Sequence, residues 1–440
     1  MAADRRRVVE ALQDELTRTS PTARPHEHAA LAYRLGLAEA EAAPGDASAL
    51  RRALASYERA AAGFDPRFDP VEHARVLNAA GAAHRTLGAA ERAASLFGEA
   101  ARLLAGRGRD DERAAAFSNL GLVRTDQGRA AEAAAAFDVA VALFDDATAG
   151  GRRGRAAAVL NRGLARAATG TAEGLDAALA DYEDALADLD ADEAPYQRAL
   201  GLHAVGVACT SLADARPEAR EALLDRAVAA FSESLHTFTR DDLPFQHALA
   251  LHNLGRAWAA QAGLTSLRRA LGYIEDALAV LDPRLHADAW RHAHASLTGV
   301  EAKLAGLGAA ANRTTHFAIL AAEASDDERH RLLTARLVRL LALPEPARAS
   351  ALVDLALAGA RLGPSATRAL VEAELTVAME LPSEALEAVL AARVAAHERL
   401  DDTLRDGADR ALDQAIGDAL GGPQRVWVRD RLYSLGFERP

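Results

Sequence analysis

The sequence has 440 residues and a formal net charge of −12 at pH 7, with 50% hydrophobic, 26% charged and 5% aromatic residues. This acidic balance argues against general nucleic-acid binding, which needs a basic surface. The apolar fraction excludes a disordered chain, and its richness in Ala and Leu favours helices over sheets. Because 440 residues exceed one ordinary hydrophobic core, several domains or a repeat array are expected.

The single cysteine, Cys209, excludes an intrachain disulfide and a CxxC metal site, and it suits a reducing cytoplasm. The first 18 residues lack an apolar signal core, and no run of 18 uncharged apolar residues occurs. We therefore expect a cytoplasmic protein without a membrane span. Motifs of nucleotide-binding, hydrolase and kinase sites are also absent, so we expect no cofactor and no enzymatic activity.

In chain order, residues 1–26 are predicted to form a capping helix, over residues 2–18, and a linker. A repeat then begins, and two segments display it best, Val76–Ala100 and Phe117–Ala140. In each, a glycine is followed by a second glycine after seven residues, an alanine after five more, a phenylalanine after four and an alanine after three. These residues are Gly81, Gly88, Ala93, Phe97 and Ala100, and Gly121, Gly128, Ala133, Phe137 and Ala140.

With insertions, the same pattern predicts six units over residues 27–306, and we call the first glycine of each unit its repeat glycine. The spacings between these glycines are 45, 40, 42, 43 and 49 residues, and the glycines are Gly36, Gly81, Gly121, Gly163, Gly206 and Gly255. Glycine inside a helix costs about 1 kcal/mol relative to alanine, so close packing must justify it. The pattern predicts a helix hairpin per unit, with the aromatic on one face of the second helix.

Beyond the repeats the pattern changes. A further helix is predicted over residues 285–305, and the Gly-rich stretch 306–314 ends it. Residues 307–440 lack the repeat glycine but are predicted to be helical, as degenerate repeats or as a small helical domain. The expected helices are 314–323, 326–342, 346–361, 365–380, 383–399, 403–419 and 423–435.

The set Gly81, Gly88, Ala93, Phe97 and Ala100 resembles the consensus of the tetratricopeptide repeat (TPR), although the consensus tryptophan is absent. The units exceed the usual ~34 residues, and segments such as 238–255 are similar to bacterial multi-TPR proteins. The resemblance covers about residues 27–306. It implies a right-handed all-α solenoid whose first helices line a concave groove, and it implies no single function.

Asparagines recur near the repeat glycines, and the resemblance places them in that groove. An asparagine inside a helix needs an explanation, because its amide competes for backbone groups. Two interpretations remain open: the amides hold an extended bound peptide, or each amide bonds to the backbone or a loop of a neighbouring repeat. The predicted groove residues are Asn78, Asn119, Asn161, Asn253, Arg34, Arg75, Arg85, His203, His252 and Arg256.

Three further groups of residues could form a site. No histidine has metal-ligand spacing, so no metal site is expected. Cys209 occupies a helix-packing position and is expected to be a buried, inert thiol. Near the end of the chain Trp427, Tyr433 and Phe437 belong either to a closing helix or to a docking patch for another subunit.

These observations favour a scaffold or adaptor that binds a peptide or protein segment in its concave groove. The first alternative is a regulatory sensor, in which a ligand or peptide changes the superhelix and thereby controls a partner protein. The second is a subunit of an enzyme complex, catalytic or not, with a site near the C-terminal helical region. A protein or peptide partner is expected in each case.

Overall fold

The computed structural model describes residues 2–43, 45–261, 263–309 and 312–437, and within these ranges it contains helices and no β-strand. This confirms the predicted all-α fold class. No helix in the described ranges is both long and apolar enough to cross a lipid bilayer. The chain divides into two compact units, Met1–Thr237 and Phe238–Pro440. The predicted boundaries at residues 26 and 306 differ from this division and stay predictions.

The first unit consists of a single helix followed by five helix hairpins. Its helices are α1 (Ala2–Arg18), α2 (Pro25–Ala42), α3 (Ala47–Gly63), α4 (Pro70–Thr86), α5 (Ala90–Leu104), α6 (Asp110–Asp126), α7 (Ala130–Leu143), α8 (Ala149–Ala167), α9 (Ala172–Asp188), α10 (Pro195–Ala215) and α11 (Arg220–Ser234). The even-numbered helices are the first helices of the hairpins, and the odd-numbered helices from α3 to α11 are their second helices. Helices α3, α5, α7 and α9 also pack against the first helix of the next hairpin, which gives a continuous stack.

The repeat glycines occupy equivalent places in these hairpins, as the sequence predicted. A Cβ atom built onto Gly81 would lie 2.7 Å from Phe97 Cε1, and one on Gly121 would lie 2.7 Å from Phe137 Cζ. Because the glycine has no side chain, the aromatic ring of the second helix in the same hairpin can pack directly against its backbone. The same contact joins Gly36 to Tyr57, Gly163 to Tyr182 and Gly206 to Phe231.

The second glycine of the repeat ends the first helix. Gly88 and Gly128 have φ of 78° and 70°, in the left-handed region that favours glycine. At the end of α4, Gly88 N donates to Arg85 O and Ala89 N donates to His84 O, the two bonds of a Schellman motif. The seven-residue spacing between the two glycines thus measures the distance from the helix crossing to the helix end.

The turns between hairpins follow a common design. In the turn before α4, Asp65 Oδ1 accepts a hydrogen bond from Arg67 N at 2.8 Å, and His73 Nδ1 lies 2.7 Å from Phe64 O. In the turn before α10, Asp190 caps the backbone in the same way, and Arg198 donates to Leu189 O. The side chain in the first helix thereby ties the start of one hairpin to the end of the preceding one.

The second unit begins with one more hairpin. Its helices are α12 (Pro244–Gln261), α13 (Leu264–Val280), α14 (Ala287–Gly306), α15 (Arg313–Glu323), α16 (Asp326–Leu341), α17 (Glu345–Ala360), α18 (Pro364–Glu380), α19 (Ser383–His397), α20 (Asp402–Ala419) and α21 (Gly422–Ser434). In the α12–α13 hairpin a Cβ on Gly255 would lie 2.6 Å from Ile274 Cγ1, so this is the predicted sixth unit.

Helices α15 to α21 form two rows around one core that extends from Phe317 to Leu432. One row contains α15, α17, α19 and α21, and the other contains α16, α18 and α20, with contacts between successive members of each row. The predicted C-terminal helices are confirmed, with ends displaced by at most two residues. Ser325 caps α16, because its side chain accepts a hydrogen bond from Glu328 N.

Candidate functional site

Within Met1–Thr237, the first helices contact one another in sequence, from α2 to α4, α6, α8 and α10, whereas successive second helices make at most marginal contact. The row of first helices is therefore the tighter side of the stack, where a curved solenoid presents its inner surface. We call the exposed side of this row the first-helix face.

An apolar strip runs along the first-helix face. The residue directly after the repeat glycine is apolar in all five hairpins of the first unit, namely Leu37, Ala82, Leu122, Leu164 and Val207. Leu164 and Val207 keep 44% and 41% of their surface exposed, and Leu122 is half-buried. Equivalent positions of α6, α8 and α10 thus present large aliphatic groups to solvent side by side.

The residues one helical turn further do not make this strip more polar. Thr125 and Thr210 direct their hydroxyl groups to Gly121 O and Gly206 O at 3.1 and 2.8 Å. Because each hydroxyl is satisfied by its own helix, the threonine is left with its methyl group for other contacts. The equivalent residue of α8 is Ala167. The positions one turn after Leu122, Leu164 and Val207 therefore add no charge to the strip, and the charged Asp126, four residues after Leu122, is paired with Arg85.

The predicted groove arginines of α4 are paired with the next hairpin. Arg75 makes two hydrogen bonds of 2.7 Å to Glu112, and Arg85 makes bonds of 2.6 and 3.2 Å to Asp126. The bonded guanidinium of Arg75 lowers the pKa of the Glu112 carboxyl, and Glu112 in turn raises the pKa of Arg75. Both arginines therefore link α4 to α6, a role that the sequence analysis did not assign to them.

Between these two ion pairs lies a bond between predicted groove asparagines. Asn119 Nδ2 donates to Asn78 Oδ1 at 3.0 Å, which joins α6 to α4. Asn119 thus bonds to a neighbouring repeat, as the second interpretation expects, but its partner is a side chain and not the backbone or a loop. In the described part of the chain, Asn78 Nδ2 and Asn119 Oδ1 make no further hydrogen bond. The pair thus offers one donor and one acceptor beside the apolar strip.

The other predicted residues occupy varied environments. Arg34 is exposed on α2, and Asn161 is half-buried on α8. His203 is half-buried beside Phe231, with ring centroids 5.3 Å apart, and burial lowers its pKa to about 4.

The remaining three belong to α12 of the second unit. His252 is buried, and its Nε2 lies 2.9 Å from Ser296 Oγ of α14. Burial, together with the Arg256 charge, lowers the pKa of His252 to about 4. Asn253 is half-buried and Arg256 is exposed. His252 therefore serves a helix–helix contact as a neutral imidazole.

Cys209 is fully buried in α10, and burial raises the pKa of its thiol to about 11. This confirms the expected burial of Cys209, and its inertness stays a prediction. Among the described residues, no group of three or more His, Cys, Asp or Glu side chains comes together in a way that could hold a metal ion.

A cavity of about 620 Å³ lies between α20 and α21. Two of the three aromatic residues predicted for docking, Tyr433 and Phe437, line it, whereas the third, Trp427, lies outside its lining and is 44% exposed. We call this cavity the terminal groove. Its residues are Asp406, Asp409, Arg410, Leu412, Asp413, Ile416, Arg429, Asp430, Leu432, Tyr433 and Phe437.

No known protein family matches this chain, and no curated protein is significantly similar to it in sequence. The resemblance to the TPR family therefore stays an expectation based on the repeat residues.

Proposed function

We propose that the protein is a scaffold or adaptor that binds a segment of another protein along the first-helix face of Met1–Thr237. The observation that supports this most is the apolar strip, with Leu164 and Val207 exposed at equivalent positions of neighbouring helices. The exposed part of each apolar side chain adds no stability to the free chain, but it gains free energy when a partner removes it from water.

The Asn78–Asn119 pair adds polar recognition at one end of the strip. A bound main chain could use the Asn78 amide as donor and the Asn119 carbonyl as acceptor, while aliphatic side chains cover Leu122, Leu164 and Val207. Because Arg75 and Arg85 are occupied by Glu112 and Asp126, this proposal assigns specificity to apolar contacts and backbone pairing. A carboxylate or phosphate on the bound segment is not required.

Photocrosslinking in the native cell tests this proposal. A photoreactive amino acid replaces Leu164 or Val207 in separate chains, and Val139 of the second helix α7, which is 38% exposed, provides the matched control. We expect the first two sites to yield the same crosslinked protein and the control site not to yield it.

Binding should also depend on the apolar character of the strip. With that crosslinked protein purified, Leu164→Asp combined with Val207→Asp should weaken its binding at least tenfold, and Val139→Asp should leave the affinity within twofold. Unaltered circular dichroism would exclude unfolding as the cause. Equal crosslinking from all three sites, or equal binding by the double variant, would reject the first-helix face as the binding surface.

A further inference from the structure

The terminal groove lies where one row of helices in the second unit ends. Helix α18 has a row neighbour on each side, α16 and α20, whereas α20 contacts α18 and, within the described residues, has no row neighbour on its other side. Along α20 the groove lining runs from Asp406 to Ile416, with residues spaced by three or four positions on one face. The groove thus lies where a further helix of this row would pack against α20.

Helix α21 leaves an unusual amount of apolar surface uncovered beside the groove. Val426, Trp427 and Tyr433 expose 61%, 44% and 76% of their surface. End helices of a stacked array normally turn a polar side to water. Helix α1 of the first unit does so, since Arg5, Arg6 and Arg7 are exposed there and Val8 is its only large hydrophobic residue among the described side chains that is exposed. The described residues thus leave an apolar surface of α21 uncovered beside the groove.

The mouth of the groove is held in place before any ligand arrives. Gly436 has φ of 90°, Gly436 N donates to Tyr433 O, and Phe437 N donates to Leu432 O, which again makes a Schellman motif. This turn holds the Phe437 ring 5.0 Å from the His397 ring, in an edge-to-face arrangement. An apolar group in the groove would therefore meet a preformed surface of Phe437 and Tyr433 over the buried Leu412 and Ile416.

The negative charge of the groove lining indicates that a partner should carry positive charge there. Four aspartates line it against two arginines, and one of the arginines, Arg429, is paired with Asp413 at 3.0 Å. Asp406 and Asp430 form no ion pair with any described residue of the chain. The rim consequently attracts cationic groups placed on either side of an apolar stripe.

We propose that the terminal groove binds an amphipathic α-helix of a partner protein, with an apolar stripe flanked by Lys or Arg. The helical rise of 1.5 Å per residue makes the α20 side of the groove about 15 Å long, which corresponds to roughly three turns of the bound helix. Its apolar residues pack on Tyr433 and Phe437, and its cations lie beside Asp406 and Asp430. This proposal does not depend on the first-helix face, so the two can fail separately.

Fluorescence anisotropy with the full chain and three labelled 16-residue peptides tests the proposal. One peptide has Leu at positions i, i+3, i+4 and i+7 of an Ala background with flanking Lys; the second replaces each Lys by Glu; the third is the Lys peptide with a central Pro. We expect the Lys peptide to bind with a micromolar Kd that weakens as salt is raised. The Glu and Pro peptides should bind at least tenfold more weakly.

Variants test whether the Lys peptide binds in the terminal groove. Asp406→Lys combined with Asp430→Lys should weaken the Lys peptide at least tenfold, and so should Tyr433→Asp, whose site is too exposed to endanger folding. Asp402→Lys lies on the same helix, is 98% exposed and lies outside the groove, and should change Kd less than twofold. Leu164→Asp with Val207→Asp should also leave this Kd unchanged.

Three outcomes would overturn the proposal. The first is equal binding of the Lys and Glu peptides, and the second is an equal effect of Asp402→Lys and the groove variants. The third is a concentration-dependent dimer of the free protein that Tyr433→Asp abolishes, because the occupant would then be a second copy of this chain.

Discussion

At the scale of the residue, glycine and the buried aromatic form one contact that is repeated along the chain. The rings of Phe97 and Phe137 occupy the space that a side chain at Gly81 or Gly121 would take, and the rings are almost completely buried. Interiors packed this densely have no room for an added methyl group. The loss of helix propensity at glycine is therefore offset by the burial of an aromatic ring.

Replacing Gly121 by alanine should destabilise the protein by about 2 kcal/mol, because the new Cβ would lie within 3 Å of the Phe137 ring. Gly98 provides the matched control, since it lies within α5 and a Cβ there would meet nothing within 4 Å. Gly98→Ala should instead stabilise by about 0.5–1 kcal/mol through helix propensity. Urea unfolding followed by circular dichroism measures both, and a neutral Gly121→Ala would contradict the packing argument.

His203 should make the protein sensitive to mild acid. Its folded-state pKa of about 4 lies below its ordinary value of 6.5. As pH falls below 6.5 the unfolded chain binds a proton that the folded chain does not bind, so stability is complete above pH 6.5 and declines towards pH 4. Between pH 7 and 5 the loss from this group should be about 2 kcal/mol.

The variant His203→Gln should lose correspondingly less stability between pH 7 and pH 5 than the wild type does. His236→Gln, at an exposed histidine of the same unit, should match the wild type, because that ring is hydrated whether or not the chain is folded. Denaturant titrations at both pH values compare the three proteins. Identical acid sensitivity of all three would show that His203 protonation does not oppose folding.

At the scale of the element, the hairpins are joined by side chains as well as by apolar packing. Helix α4 is connected to α6 by Arg75–Glu112, Asn78–Asn119 and Arg85–Asp126. Helix α8 is held by Arg162 and Arg166, which both contact the buried Asp181 of α9. An ion pair between two elements restrains their relative position, whereas a pair within one helix does not.

A double-mutant cycle on Arg75→Ala and Glu112→Ala should give a coupling free energy of about 0.5–1 kcal/mol. The value is modest because the two side chains are 39% and 31% exposed and water screens them. The Arg291–Asp288 pair, which lies within one helix and is 71% and 83% exposed, should show coupling too small to measure. Equal coupling in the two cycles would mean that Arg75–Glu112 does not link α4 to α6.

At the scale of the whole molecule, the two units place their candidate surfaces differently. In Met1–Thr237 the apolar strip of the first-helix face is formed by the residue that directly follows each repeat glycine, so it recurs in every hairpin. In Phe238–Pro440 the terminal groove follows from the end of a row of helices. An array of stacked repeats offers both kinds of surface, one along its side and one at its end.

The strip could have been found in the sequence. Leu122, Leu164 and Val207 stand in the same register behind their glycines, and a search for apolar residues at exposed repeat positions would have identified them. The pairing of Arg75 with Glu112 could not have been found in this way, because the two residues are 37 positions apart and no local pattern joins them. The groove residues of α20 and α21 likewise become a site only through packing.

The helices, their ends and the equivalence of the hairpins follow from local sequence signals, because helix propensity, capping residues and the glycine–aromatic spacing act within about forty residues. Which polar side chains remain available to a partner depends instead on tertiary packing. Arg75, Arg85, Asn78 and Asn119 all fit a groove by register, yet each meets a side chain of another hairpin. Whether a surface side chain faces water or a neighbouring helix depends on how elements stack, and stacking is the sum of many weak contacts between residues distant in the chain.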